Sequence, residues 1–450
     1  MKKNIIIILA GIFFTVSCGK KLDLLPQQSV AEEVALNSDA NVKKVLNGAY
    51  DAISNSSLYG GDLFLYSELM AADGEIRWEG TYNEPREIWL KSIITTNSFV
   101  TDTWLSGYST INITNNILSA IDVVDDADKN RVKGEALFLR GAVYFELVKL
   151  YAKPYSDGNA ASNDGLPLVL QPTRGIDQSS YVPRSTVAET YSQVITDLTE
   201  AESLLPEDNG IYASKPAAAA LLSRVYLQQL DYTKARDAAN RAITAATGAG
   251  LSLVSNYADA FNNSSGNSSE DIFAIQVSPQ DGSNSMQVYW SIPAFGGRDG
   301  DVSVQTKHLN LYTAGDTRKS LFYFGAGATR SGKWKLQYCN VPVIRLSEMY
   351  LTRAECNFRL STSVGDTPLN DLNKTRDRAG IGSGSISLAE ILAERKLELA
   401  HEGHALHDLK RLKGSADGFG YDDDEMVFPI PQREMDASQG ALRQNAADLR

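Results

Sequence analysis

Glu394-Arg395-Lys396-Leu397-Glu398-Leu399-Ala400-His401-Glu402-Gly403-His404-Ala405-Leu406-His407-Asp408-Leu409-Lys410-Arg411 reads as an amphipathic helix that carries charge where a surface helix would not place it. On a helical wheel with Leu392, Leu399 and Leu406 pointing inward, Arg395 and Glu402 fall in the same arc. Buried charges without partners are expensive, so the pattern predicts a specified polar network or a close interface rather than a solvated face. His401, His404 and His407 fan across about a third of the circumference opposite the leucine stripe. That spread is too wide to focus three imidazoles on one ion, and there is no HExxH pattern. A polar helix face is expected there, and no metal site.

Working outward, the chain is rich in further helical stripes. Ala136, Leu139, Val143, Leu147 and Leu150 recur at helical spacing, with Phe138, Gly141, Phe145 and Val148 on the neighbouring face, which predicts a helix buried on two sides. Val187, Tyr191, Val194, Leu198, Ala201 and Leu205 form another stripe, opened by Ser185 or Thr186 as cap and closed by Pro206. Ala219, Leu222, Tyr226, Ala235, Ala239 and Ala242, with a tight turn at Asp231, occupy positions similar to those of a tetratricopeptide repeat. A helix over 346–360 and a partner starting near Leu369 repeat the arrangement. Between these pairs lie two excursions, about 60–100 and 251–342, rich in Gly, Ser and aromatics. The segment 60–97 reads as irregular, Asp271 to Val277 as a short strand, and Lys335 to Tyr338 as strand-like. The fold class expected is all-α: a tetratricopeptide-like helical repeat scaffold with large irregular excursions and a few short strands.

Lys2 and Lys3 followed by the apolar run Ile5 to Phe14 make residues 1–17 a signal peptide, too short to span a bilayer. Thr15-Val16-Ser17-Cys18 looks like a lipobox, with Cys18 as the lipidated first residue of the mature chain. Residues 18–28 then read as a lipidated tether and 29–450 as one helical domain. The formal charge of −12, from 43 basic and 55 acidic residues, argues against nucleic acid or anionic lipid as principal partners. Membrane attachment is expected through the N-terminal lipid alone. Cys339 and Cys356 are the thiols left after lipidation and are expected to be buried and free rather than bridged.

The opening stretch resembles the closing signature of the SusD/RagB family of bacterial outer-membrane nutrient-binding lipoproteins, E-R-x-x-E-L-x-x-E-G-x-R-x-x-D-L-x-R. Glu394, Arg395, Glu398, Leu399, Glu402, Gly403, Asp408, Leu409 and Arg411 match it, while Ala405 replaces its usual Arg and Leu412 an aromatic that often follows. Five further segments resemble the family in order. They are Leu137-Phe138-Leu139-Arg140-Gly141 through Phe145, Ser214-Lys215-Pro216-Ala217-Ala218 through Leu227, Val343 to Glu355, Asn373 to Gly380, and Phe428-Pro429-Ile430-Pro431 with Gln444-Asn445. The resemblance covers most of the mature chain. It implies a lipid-anchored outer-membrane protein facing the extracellular side, which captures a glycan and passes it to a SusC-like TonB-dependent transporter. A peptide-binding member of the same family, a tetratricopeptide scaffold that binds protein, and a surface hydrolase remain open alternatives.

For chemistry, the chain shows no nucleophile elbow, phosphate loop or dinucleotide fingerprint, and no two acids stand out as a glycosidase pair. No catalytic residue and no cofactor is expected. Asp422-Asp423-Asp424 lacks the pattern of a calcium loop and reads as solvated. Sugars stack the C–H face of a ring on Trp or Tyr while edge hydroxyls meet polar side chains, and in the resembled family such aromatics sit on loops leaving the scaffold. The ligand-binding candidates are therefore Trp78 and Tyr82 with Arg77, and Tyr289, Trp290 and Phe295 with Arg298. Trp104 and Trp334 read as structural.

Overall fold

The computed structural model describes residues 36–445 apart from 176 and 281. The signal segment, Cys18 and the tether lie outside the described residues. In chain order the α-helices are α1 Asp39–Ile53, α2 Asp62–Met70, α3 Asn83–Leu90, α4 Ser98–Ser119, α5 Asp126–Tyr151, α6 Val187–Leu204, α7 Lys215–Gln228, α8 Tyr232–Gly248, α9 Ser285–Trp290, α10 Thr306–Leu309, α11 Leu346–Leu360, α12 Pro368–Arg378, α13 Leu388–Glu398, α14 Ala405–Arg411 and α15 Gln432–Ala437. Helices α4, α5, α6, α7, α8 and α11 stack in succession, α12 and α13 pack on α11, and α1 lies across α4 and α5. The all-α, tetratricopeptide-like scaffold is thus present. Among the described residues, no helix is long and apolar enough to cross a membrane.

Local sequence explains each element. Every residue of α5 from Gly134 to Tyr151 is buried, as its two apolar stripes require. Gly107 of α4 and Gly141 of α5 allow the stack to close: a Cβ there would stand 2.8 Å from Leu147 Cδ1 and 3.0 Å from Leu198 Cγ. Thr186 caps α6 in a capping box, its hydroxyl accepting from Glu189 N at 3.1 Å while Thr186 N donates to the Glu189 carboxylate at 2.8 Å. Asp231 caps α8, accepting from Lys234 N at 3.0 Å. Ala235, Ala238, Ala239 and Ala242 are fully buried and let α8 approach its neighbours.

Helices are also joined by buried, two-pronged arginine–carboxylate contacts. Arg140 of α5 grips Asp197 of α6 at 2.7 and 2.8 Å, and Arg224 of α7 grips Glu348 of α11 at 2.6 and 2.8 Å. Arg353 of α11 holds Asp371 of α12 at 2.6 and 2.8 Å, and Arg411 of α14 holds Glu355 of α11 at 2.7 and 2.9 Å. A desolvated pair adds little net stability, yet removing one partner costs about 3–5 kcal/mol. Such contacts dictate which helix faces meet.

The strands are short and antiparallel, and each ladder has two members among the described residues. They are β1 Ile76–Trp78, β2 Asp164–Pro167, β3 Arg184–Thr186, β4 Asp271–Ile275, β5 Val302–Val304, β6 Phe322–Gly325, β7 Ala328–Ser331, β8 Val341–Arg345, β9 Ser415–Ala416 and β10 Phe419–Gly420. The pairing of β1 with β5, Ile76 opposite Val304 and Trp78 opposite Val302, joins the two excursions. The hairpin β6–β7 sits beside β5.

Several expectations need correction. Residues 60–97 are not irregular: α2 is buried on every side, and β1 and α3 follow it. Lys335 to Tyr338 forms no strand, and Trp334 ends a 3-10 turn with its Nε1 donating to His401 O at 2.8 Å. The opening run is not one helix. It breaks between α13 and α14, where His401 has φ +64° and Gly403 φ +80°. The cause is α2, which crosses the run so closely that a Cβ on Gly403 would lie 2.5 Å from Phe64 Cδ1. α2 supplies acceptors to the new helix start, Glu68 taking Gly403 N–H at 2.9 Å and Ser67 taking Leu406 N–H at 3.0 Å. The histidines are likewise not a polar face. His401 and His407 are 2% and 6% exposed, and burial holds all three imidazoles well below their usual pKa. Asp422 and Asp423 are exposed, as expected of a solvated loop, while Asp424 is half-buried and pairs with Lys153 at 2.5 Å. Cys339 and Cys356 are free and buried, as expected.

Candidate ligand-binding site

The first inward charge, Arg395, pairs with Asp408 at 2.9 Å. The second, Glu402, belongs to a charged core beneath the excursions. Arg345 donates to Glu402 at 2.8 Å, Glu270 at 2.8 Å and Glu398 at 3.1 Å, and Arg318 holds Glu394 at 2.6 Å. Burial alone would raise the Glu398 carboxyl, but Arg378, Arg345 and Arg318 hold it below the ordinary range. The network anchors the excursion to the scaffold, since Glu270 and Arg318 come from the first and Glu394, Glu398 and Glu402 from the second. Among the described residues, no three His, Cys, Asp or Glu side chains are grouped as metal ligands.

Over this base the two excursions build an aromatic surface. Trp78 at the end of β1, Tyr82 just before α3 and Tyr289 in α9 come together although the first two are distant in sequence from the third. Trp78 and Tyr289 meet edge-on at 5.6 Å, and Tyr82 and Tyr289 at 6.4 Å. Phe99, at the start of α4 and not anticipated from sequence, completes the group at 6.3 Å from Tyr289 and 6.4 Å from Tyr82. Trp78 Nε1 donates to Tyr82 O at 3.2 Å, fixing the loop between them. Arg298 lies 3.9 Å over the Tyr82 ring and pairs with Asp301 at 2.5 Å. Gly80 makes the turn possible: a Cβ there would stand 2.3 Å from Asp301 Oδ1. Burial raises the Asp301 carboxyl, and the Arg298 guanidinium opposes that shift.

Within this group exposure is uneven. Tyr82 is 43% exposed, whereas Tyr289 is at 8% and Trp78 at 1%. The two buried rings thus support Tyr82 from below rather than offer faces of their own. Arg77 faces solvent on the opposite side of β1 from Trp78. Trp290 is placed elsewhere and is wholly buried, its ring 4.6 Å from that of His401. No ligand can reach Trp290 in this arrangement, so here it acts as core.

Phe295 belongs to a second surface. It meets Tyr323 of β6 edge-on at 5.7 Å, and the Lys335 ammonium lies 4.3 Å over Phe295 and 5.0 Å over Tyr323. At the hairpin tip Phe324 is 77% exposed, the most open of the large apolar side chains among the described residues. Arg330 of β7 locks this hairpin to the chain between Arg298 and β5, donating to Gly300 O at 2.5 Å and Val302 O at 2.9 Å. The signal for these missed residues was Phe322-Tyr323-Phe324-Gly325-Ala326-Gly327, an aromatic run ending in a glycine-rich turn.

The comparisons agree with this architecture. A family model described as starch-binding associating with outer membrane matches residues 20–227, and the SusD family model matches residues 228–427. SusD-like protein P2 of Formosa agariphila is 26% identical, covering 98% of this chain and 96% of the relative. A SusD superfamily protein of Bacteroides thetaiotaomicron superposes with a TM-score of 0.81 at 26% identity, covering 91% of this chain and 99% of that one. A SusD superfamily protein of Bacteroides vulgatus does so with a TM-score of 0.81 at 27% identity, covering 91% and 99%. With both halves of its helical scaffold matched in this way, the chain belongs to the SusD family.

Proposed function

We propose that this protein binds a glycan, an oligosaccharide or polysaccharide fragment, at the cell surface, and hands it to a SusC-like TonB-dependent transporter without making or breaking a bond. The observation that carries the reading is the half-exposed Tyr82 ring, flanked by Tyr289 and Phe99, with Arg298 over one face and Trp78 holding its backbone carbonyl. With the guanidinium over one face of the ring, a sugar would stack its C–H face on the other and meet the polar groups around it through its edge hydroxyls. The family supports it, one matching family being described as starch-binding and outer-membrane associated. The lipid anchor at Cys18 and the extracellular orientation belong to the same proposal, supported by the lipobox-like Thr15-Val16-Ser17-Cys18 and by a matching family described as associating with outer membrane. The test is a binding screen of the purified protein against plant, host and microbial glycans together with a peptide mixture, followed by Tyr82→Ala. A glycan hit weakened roughly tenfold by Tyr82→Ala, with folding intact, supports the reading; retention of peptides alone transfers it to peptide uptake.

A further inference from the structure

The break in the closing run leaves an angle between α13 and α14, and the end of α2 does not fill it. The result is a cavity of about 370 Å³, within the range of small-molecule sites. Its wall is mainly apolar, with Ile76, Leu392, Leu399, Ala400 and Leu409 prominent. The charged groups at its edge are already matched inside the protein. Lys396 pairs with Glu75, Asp73 with Lys307 at 2.6 Å, and Asp408 with Arg395 at 2.9 Å and Arg411 at 2.7 Å. Glu68, the remaining carboxyl of the lining, accepts the Gly403 N–H at 2.9 Å and is pushed by burial up to about 7, so an anionic ligand finds no free cation there.

Two imidazoles of the lining are unmatched. That of His401, whose Nδ1 and Nε2 have no hydrogen-bond partner among the described residues, is packed against the rings of Trp290 and His308 at 4.6 and 4.8 Å, which leaves His404 to meet a ligand. His404 lines the cavity, and its imidazole makes no hydrogen bond to the described residues, the Glu348 carboxylate standing 3.9 Å from Nδ1. Burial and the nearby Arg224 and Arg395 keep the ring neutral. A neutral imidazole presents one donor and one acceptor, the complement of a hydroxyl group.

We propose that this cavity is a second binding site, separate from the aromatic surface, for a small uncharged amphipathic molecule: an apolar ring or branched chain bearing one hydroxyl, with the hydroxyl against His404 and the body against the Leu392, Leu399 and Leu409 wall. The test titrates the purified protein with 2-naphthol and with naphthalene by saturation-transfer NMR. The expected result is saturable 2-naphthol binding with Kd about 0.5 mM, the range for a ligand of that size, and a preference over naphthalene of roughly fivefold to tenfold. Ala71→Phe fills the chamber and abolishes binding; should that variant fail to fold, Leu412→Trp blocks the rim instead. His404→Leu keeps naphthalene binding and erases the preference for the alcohol. Tyr82→Ala leaves both probes unaffected, which separates this site from the glycan surface. No saturable binding up to about 2 mM, or binding that survives both blocking variants, overturns the site; a preference that survives His404→Leu overturns the role of the imidazole.

Discussion

Replacing Gly403 by alanine should destabilise the protein by about 2–4 kcal/mol, assembled from two separate costs. Gly403 has φ +80°, a conformation that costs an L-residue roughly 1 kcal/mol relative to glycine. The added Cβ would stand 2.5 Å from Phe64 Cδ1 and 2.8 Å from Phe64 Cα. Because one of those atoms is backbone, a rotamer change cannot relieve the overlap, and forced overpacking adds about 1–3 kcal/mol. Urea unfolding followed by tryptophan fluorescence gives the difference. Gly384→Ala is the control, since a Cβ there meets nothing within 4 Å. A loss of only about 1 kcal/mol for Gly403→Ala, the conformational cost alone, would show that α2 does not force the break. The position would then reflect turn preference alone.

Lys410 is 2% exposed and its ammonium donates to Lys149 O at 3.1 Å. Burial, with Lys153 and Lys149 nearby, pushes it down to about 7. The unfolded chain therefore holds this proton up to its ordinary value near 10.5 while the folded chain does not, so stability rises from pH 7 toward that value. Lys410→Met should raise the urea midpoint at pH 7 and flatten the rise; a lower midpoint would refute it. Trp290→Ala should cost about 3–5 kcal/mol, since the ring is fully buried; a variant with unchanged melting temperature and weakened glycan binding would return Trp290 to the ligand site. Cys339 and Cys356 should resist a thiol-specific reagent until the protein unfolds, because burial pushes the Cys356 thiol up to about 12 and raises that of Cys339; fast labelling of the native protein contradicts their placement.

The scaffold was legible because long helices repeat their pattern many times. The α5 stripes, the Thr186 or Ser185 cap and the alanines of α8 each state their own burial. The inward Arg395 and Glu402 were legible for the same reason, being charges on an apolar face. The break at Gly403 was hidden because Leu399 and Leu406 both point inward on either side of it, so the period survives the turn. That same continuity misassigned the histidines to solvent. The candidate site was readable only in part. Trp78, Tyr82, Tyr289 and Arg298 were selected by residue type, yet nothing local tells the exposed Tyr82 from the buried Trp290. A three-residue strand such as β1 carries too little pattern to announce its pairing with β5, and so Phe99 could not be placed beside the others.

The β1–β5 ladder sets an order in time. Tyr82 and Tyr289 are 207 positions apart in sequence, and Trp78 lies opposite Val302. During synthesis Tyr82 leaves the ribosome long before its supporting ring exists, while α4 to α8 can form from local contacts in between. Closing so long a loop has a large entropic cost until the helices shorten the distance. The chain therefore completes the Tyr82 surface only late in folding, after α4 to α8 have emerged, and a truncated product ending before α9 would lack both the Tyr289 ring beside Tyr82 and the Glu348 partner of buried Arg224.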